Sequence, residues 1–127
     1  MTELPTFMTL LGLSIEQREE GEIGLRMDVP DGWMSPFGAV HGGAIAALFD
    51  TGLAMAVARR LTPADRIATH NLNVTYIAFS RERVLLCRTR ILSLRRAVAT
   101  VEGEVVTAAG ELVAKAVGTF GIRRSES

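Results

Sequence analysis

An aspartate stands in the middle of the most apolar stretch of this chain. Residues 44–58 read AIAALFDTGLAMAVA, and Asp50 is their one charged side chain. A carboxylate in such surroundings is costly unless it is paired or hydrogen-bonded. Asp is also a mediocre helix former, so propensity does not explain it. Two readings stand. The carboxylate is held for chemistry, as a proton acceptor or a nucleophile. Alternatively it lies at a seam between helix and solvent, or hydrogen-bonds in the region of the Thr51 hydroxyl. Eight residues earlier, Gly42 and Gly43 fall where a helix would begin. Glycine lets another group approach the backbone closely. The first N–H groups of a helix lack internal partners and carry the positive end of its dipole. They can bind an anion or stabilise a developing oxyanion. Tight packing or a permissive turn would use the same dipeptide.

Along one helix, eight residues span about 12 Å. Gly42 and Asp50 of one chain therefore cannot both touch one reacting atom. Two copies of the helix, antiparallel across a two-fold axis, would bring Gly42 of one chain to Asp50 of the other and create two equivalent sites. A helix that is apolar all round must also be covered all round. One sheet covers one face, so a homo-oligomer answers both problems.

The elements that must position these residues follow from periodicity. Residues 2–12 place Leu4, Phe7, Met8 and Leu11 at helical spacing, ended by Gly12. Residues 22–29 alternate, with Ile23, Leu25, Met27 and Val29 on one face of a strand. Pro30-Asp31-Gly32 is a turn signal, and residues 33–40 read as a loop. Residues 42–60 read as one long helix, closed by a connection over 61–65. Strands follow over 70–79, 83–94, 97–108 and 111–122, with Ala109-Gly110 as a hairpin turn. Short connections favour antiparallel pairing. The expectation is an α+β fold in one domain spanning residues 1–127, with a long helix packed on an antiparallel sheet.

Composition narrows the function classes. The chain has 127 residues, 48% of them hydrophobic and 22% charged, so it can build a core. Formal net charge is zero, which argues against binding nucleic acid through bulk positive charge. Two histidines and one cysteine cannot assemble a zinc-like cluster of soft ligands. Cys87, between Leu86 and Arg88 in a strand-like run, reads as a structural thiol in a reducing compartment. The N-terminal segment lacks a positive region and a small-residue cleavage site. The longest apolar stretch is too short to span a bilayer and contains Asp50. A cytoplasmic protein without a membrane span is expected.

The segment Phe37-Gly38-Ala39-Val40-His41-Gly42-Gly43, followed by Asp50 in an apolar helix, resembles the hotdog-fold acyl-CoA thioesterases, and among them the phenylacetate-pathway group. Leu72-Asn73-Val74-Thr75-Tyr76 looks like the strand after the family's helix. Residues 94–97 and 110–122 look like its last strands. The resemblance implies a long curved antiparallel sheet wrapped around one helix, in a homodimer that often pairs again into a tetramer. It implies thioester hydrolysis with no metal or organic cofactor, CoA being part of the substrate. Gly42 matches the backbone N–H that polarises the thioester carbonyl. Asp50 of the partner subunit matches the general base or nucleophile. His41 matches a residue that shapes the loop and hydrogen-bonds near the substrate. Thr69 aligns with a hydroxyl that orients water or the carboxylate in some members. Ser35 stands where many members have Asn, and a hydroxyl offers fewer hydrogen bonds than an amide. Leu94 stands where a glycine often precedes the basic pair. Arg95 and Arg96 lie where members contact CoA, with Arg81 and Arg83 as a second candidate group. Trp33, Phe37, Phe49 and Met55 are expected to shape the acyl pocket. Two rival readings share the fold: a non-catalytic acyl-CoA-binding module, and a dehydratase or hydratase that would use His70.

Overall fold

The computed structural model describes residues 6–17 and 23–125. Its elements run α1 (Thr6–Leu10), β1 (Leu13–Gln17), β2 (Ile23–Asp28), a 3-10 turn (Asp31–Trp33), α2 (Gly42–Ala58), β3 (Arg66–Tyr76), β4 (Val84–Leu94), β5 (Val98–Thr107) and β6 (Leu112–Arg123). The six strands form one sheet in the order β1-β2-β4-β5-β6-β3. Every neighbouring pair is antiparallel. This is the expected hotdog architecture: one long helix against one antiparallel sheet.

Three boundaries differ from the sequence reading. The first helix is short, and Gly12 turns the chain with φ +68 into a strand. Leu4 and Glu22 lie outside the described residues. That strand, β1, has no counterpart in the pattern reading, because Leu13–Gln17 is too short for alternation to stand out. Its pairing runs from Leu13↔Met27 to Gln17↔Ile23, and this pairing with the next strand stabilises it. β3 begins at Arg66, four residues before the expected start, and ends at Tyr76 rather than at Phe79. Its first residues alternate poorly in polarity. They are held by β6, from Arg66↔Arg123 to Thr69↔Phe120.

α2 packs against β2, β3, β4, β5 and β6. A single helix can touch five strands only if the sheet curls around it. Leu48, Phe49, Leu53 and Val57 point inward and are fully buried. They meet Leu25, Met27, Leu85, Cys87, Val101, Val105, Val113 and Phe120 in the core. The opposite side of the helix, with Ala46, Ala47, Asp50, Thr51 and Ala54, is only half-buried within one chain.

The helix approaches β4 most closely at Gly52. A Cβ there would come to 2.8 Å from Cys87 Sγ, and the glycine exists to let helix and strand meet. Burial pushes the Cys87 thiol up to about 12, so it stays protonated and unreactive at neutral pH. Gly52→Ala is expected to destabilise the fold by about 1–2 kcal/mol, overpacking outweighing the gain in helix propensity. Urea denaturation of Gly52→Ala, Cys87→Ala and the double variant checks this. A favourable coupling in the double variant is the expected result, because the Sγ that clashes is gone.

Candidate active site

The start of α2 is built by its cap. His41 has extended backbone angles (φ −61, ψ 134), and its Nδ1 accepts the Gly43 N–H at 2.8 Å. Its carbonyl accepts from Ala44 and Ile45 at 3.0 and 3.3 Å. The N–H of Gly42, the first of the helix, has no hydrogen-bond partner among the described residues. It is the open donor that a helix N-terminus provides. The loop before it is tied down at both flanks: Val40 N–H donates to Ser80 O at 2.8 Å and His41 N–H to Trp33 O at 2.9 Å. Beside Gly42 lies a cleft of about 330 Å³ walled by Val40, Ile45, Tyr76, Ile77, Ala78, Phe79 and Ser80. Its wall is mostly apolar.

Asp50 faces β3. Its Oδ1 accepts the Thr69 hydroxyl at 2.7 Å. The partner is thus a strand residue, not the neighbouring Thr51. One oxygen is oriented, Oδ2 has no partner among the described residues, and the side chain is half-exposed.

β3 also serves the other end of the helix. The Tyr76 hydroxyl donates to Gly42 O at 2.7 Å. Thr69 and Tyr76 are seven residues apart, and an odd separation puts two residues of a regular strand on opposite faces. The register shift between Thr69 and Asn71 resolves this, because β6 has no partner for His70. The bulge reverses the alternation. Thr69 before it and Tyr76 after it both reach α2.

Ser35 is turned into its own loop. Its hydroxyl accepts from Phe37 and Ala39 N–H at 3.3 and 3.4 Å, and its N–H donates to Ala39 O at 2.6 Å. The candidate cations separate into two groups. An Arg81 guanidinium nitrogen would lie 3.1 Å from a Cβ on Gly38, at the glycine-rich loop before the helix. Arg83 is bound to Asp31 at 2.7 Å and to Val29 O. Arg95 and Arg96 sit in the turn after β4, where their carbonyls accept from Arg124. β4 separates the groups by its full length of 11 residues. Leu94, the position flagged before the basic pair, is the last residue of β4 and is paired with Ala99. Of the four residues expected to shape an acyl pocket, none walls the cleft beside Gly42. Phe49 is core, Phe37 is 86% exposed, and Trp33 Nε1 donates to Leu10 O. Met55 lines a separate cavity of about 190 Å³ with Gly24, Gly52 and Cys87. The residue that sequence reading missed is Tyr76, whose tie to Gly42 depends on the bulge.

Comparison with known proteins places the chain in a class. The model of the thioesterase superfamily matches residues 37–114, which contain His41, Gly42, Asp50, Thr69, Arg81, Arg95 and Arg96. The chain belongs to the thioesterase superfamily. A Bacillus halodurans protein solved with CoA superposes with a TM-score of 0.91 at 28% identity, covering 99% of this chain and 83% of that one. A phenylacetic acid degradation-related protein from Ralstonia eutropha superposes with a TM-score of 0.85 at 30% identity, covering 94% and 92%. A Haemophilus influenzae thioesterase shares the fold, with a TM-score of 0.86 at 23% identity over 93% and 82% of the two chains. No curated protein sequence matches the chain.

The capping bond gives His41 a measurable structural duty. His41→Ala removes the acceptor of the Gly43 N–H and is expected to cost about 1 kcal/mol of stability. His41→Asn, which can cap, should recover most of it. Chemical denaturation of the three proteins checks this.

Proposed function

We propose that this protein hydrolyses the thioester of a small aryl- or acyl-CoA to the free acid and CoA, in an oligomer in which Asp50 of one protomer works with Gly42 of its partner. The observation that carries the reading is the pairing of two unspent groups on one helix. Asp50 keeps an oxygen free in an otherwise apolar helix, and the Gly42 N–H is open beside an apolar cleft. They lie about 12 Å apart along α2, so a second copy must supply one of them.

β3 supports such a copy. It is an 11-residue strand at the sheet edge, and its outer side is unpaired among the described residues. Such an edge is a template for strand pairing. A two-fold axis beside it would continue the sheet, cover the half-buried side of α2 and oppose the two helices. Pairing of dimers into a tetramer is a further expectation from the resemblance. No helix among the described residues is long and apolar enough to cross a membrane, and the cytoplasm, where CoA esters occur, is the proposed compartment.

The chemistry follows from the groups. The Gly42 N–H and the helix dipole polarise the thioester carbonyl. Asp50, oriented by Thr69, takes a proton from water through its free oxygen. The hydroxide oxygen bonds to the carbonyl carbon, and the tetrahedral oxyanion gains about 3 kcal/mol from a well-placed donor. The C–S bond then breaks and CoA leaves as thiolate. Arg81 near the loop, or Arg95 and Arg96 at the far end of β4, would meet the CoA phosphates. No metal or organic cofactor enters these steps.

Thiol release over a panel of acyl-CoAs tests the reading. Asp50→Asn is expected to lower kcat by about 10²–10⁴-fold. Thr69→Val, which keeps shape and loses the hydroxyl, is expected to lower it by about tenfold. An Asp50→Asn protein hydrolysing at the wild-type rate would refute the assignment.

A further inference from the structure

The donor end of the site is made of the two least constrained residues a chain can offer. Gly42 and Gly43 have no Cβ to restrict their backbone angles. The direction of the Gly42 N–H relative to the next peptide depends on the Gly42 angles. Both glycines lie in the first turn of α2, and two side chains add to the hold of the helix's own bonds. The Tyr76 ring lies over Gly42, about van der Waals distance (3.4 Å) from where a Cβ would be. Its hydroxyl binds Gly42 O at 2.7 Å. On the other side of the same peptide, Gly43 N–H binds His41 Nδ1 at 2.8 Å.

The direction of both bonds is forced. A backbone carbonyl only accepts, so the tyrosine hydroxyl donates. A backbone N–H only donates, so Nδ1 accepts. An imidazole accepting at Nδ1 is neutral and carries its proton on Nε2. The Gly42–Gly43 peptide is thus polarised from its oxygen end toward its N–H end, and bonds in such a chain strengthen one another.

We propose that Tyr76 is a positioning residue for the donor end of the site: its hydroxyl fixes the Gly42–Gly43 peptide and, through the Gly43 N–H, the orientation and tautomer of His41. The assignment extends the hydrolase reading and rests on it only for its kinetic consequence. The bulge at His70 is part of the device. It lets one strand orient the carboxylate through Thr69 and the donor through Tyr76.

The test is Tyr76→Phe, which keeps the ring over Gly42 and removes the hydroxyl alone. Amide hydrogen exchange read by NMR reports the peptide directly, without substrate. Gly43 exchange is expected to accelerate about fivefold, the loss of one neutral hydrogen bond, while amides in the interior of α2 keep their protection. At about pH 8, where a free imidazole is neutral, ¹⁵N shifts should move His41 from a single Nε2–H tautomer toward a mixture. His70→Gln assigns the two histidines. In thiol-release kinetics, kcat is expected to fall about three- to tenfold with KM within about twofold, the pattern of a group acting on the reacting centre rather than on binding. Unchanged Gly43 exchange and His41 tautomer in Tyr76→Phe would overturn the proposal, as would altered exchange with wild-type kcat. A change confined to KM would make Tyr76 only a wall of the cleft and would also overturn it. Absence of hydrolysis by the wild-type protein on every acyl-CoA would instead remove the hydrolase reading, and the NMR result would still decide the relay.

Discussion

Almost everything in this molecule depends on burying one helix that has a single charge. α2 contributes Leu48, Phe49, Leu53 and Val57 to the core, and each is fully removed from water. Full burial of such side chains stabilises by roughly 1.5–3 kcal/mol apiece. The sheet must therefore curl until five strands touch the helix. Small residues make this possible at the tightest points. Gly52 lets β4 approach through Cys87, and Gly103 and Gly118 lie under the Leu53 side chain. The charge, Asp50, is left on the half-buried flank of the helix, beside the edge strand β3.

The same burial fixes where the candidate groups sit. The helix cannot rotate without moving its core side chains into solvent. Its first N–H and its aspartate therefore have set directions. The cap at His41 stops the helix at Gly42 and leaves that N–H open. β3 then adjusts both ends. It is the edge strand, and it reaches the helix through two side chains on either side of a bulge. A bulge costs a ladder bond and bends the strand. Here it reverses the alternation so that Thr69 and Tyr76 share a face.

Separation of the candidate groups within one chain has a physical consequence. The carboxylate and the open N–H lie along one rigid helix, and the two groups of arginines lie at opposite ends of β4. A rigid element keeps such distances fixed. No movement inside the protomer brings these groups together, which is why the proposed site draws on a second copy.

The fold class and the two anomalous points of the helix were legible in the sequence. Asp50 stood out because charge inside an apolar run conflicts with burial, and Gly42-Gly43 because glycine at a helix start lets another group reach the open N–H groups. Strand alternation was legible where one face is buried, as at Leu25, Met27 and Val29. β1 was not, being too short for alternation to show, and the first residues of β3 were not, since they are held by β6, distant in the chain. Of the four residues expected to shape an acyl pocket, Phe49 lies in the core and Met55 lines another cavity, because apolar character does not say which cavity a side chain lines. The Ser35 hydroxyl oxygen accepts two N–H groups of its own turn, a local use that its residue type does not announce. Tertiary structure alone decided that Asp50 meets Thr69 and Gly42 meets Tyr76. Sequence periodicity places residues seven apart on opposite faces of a strand. Only the register against β6 reveals the extra residue that brings them to the same one.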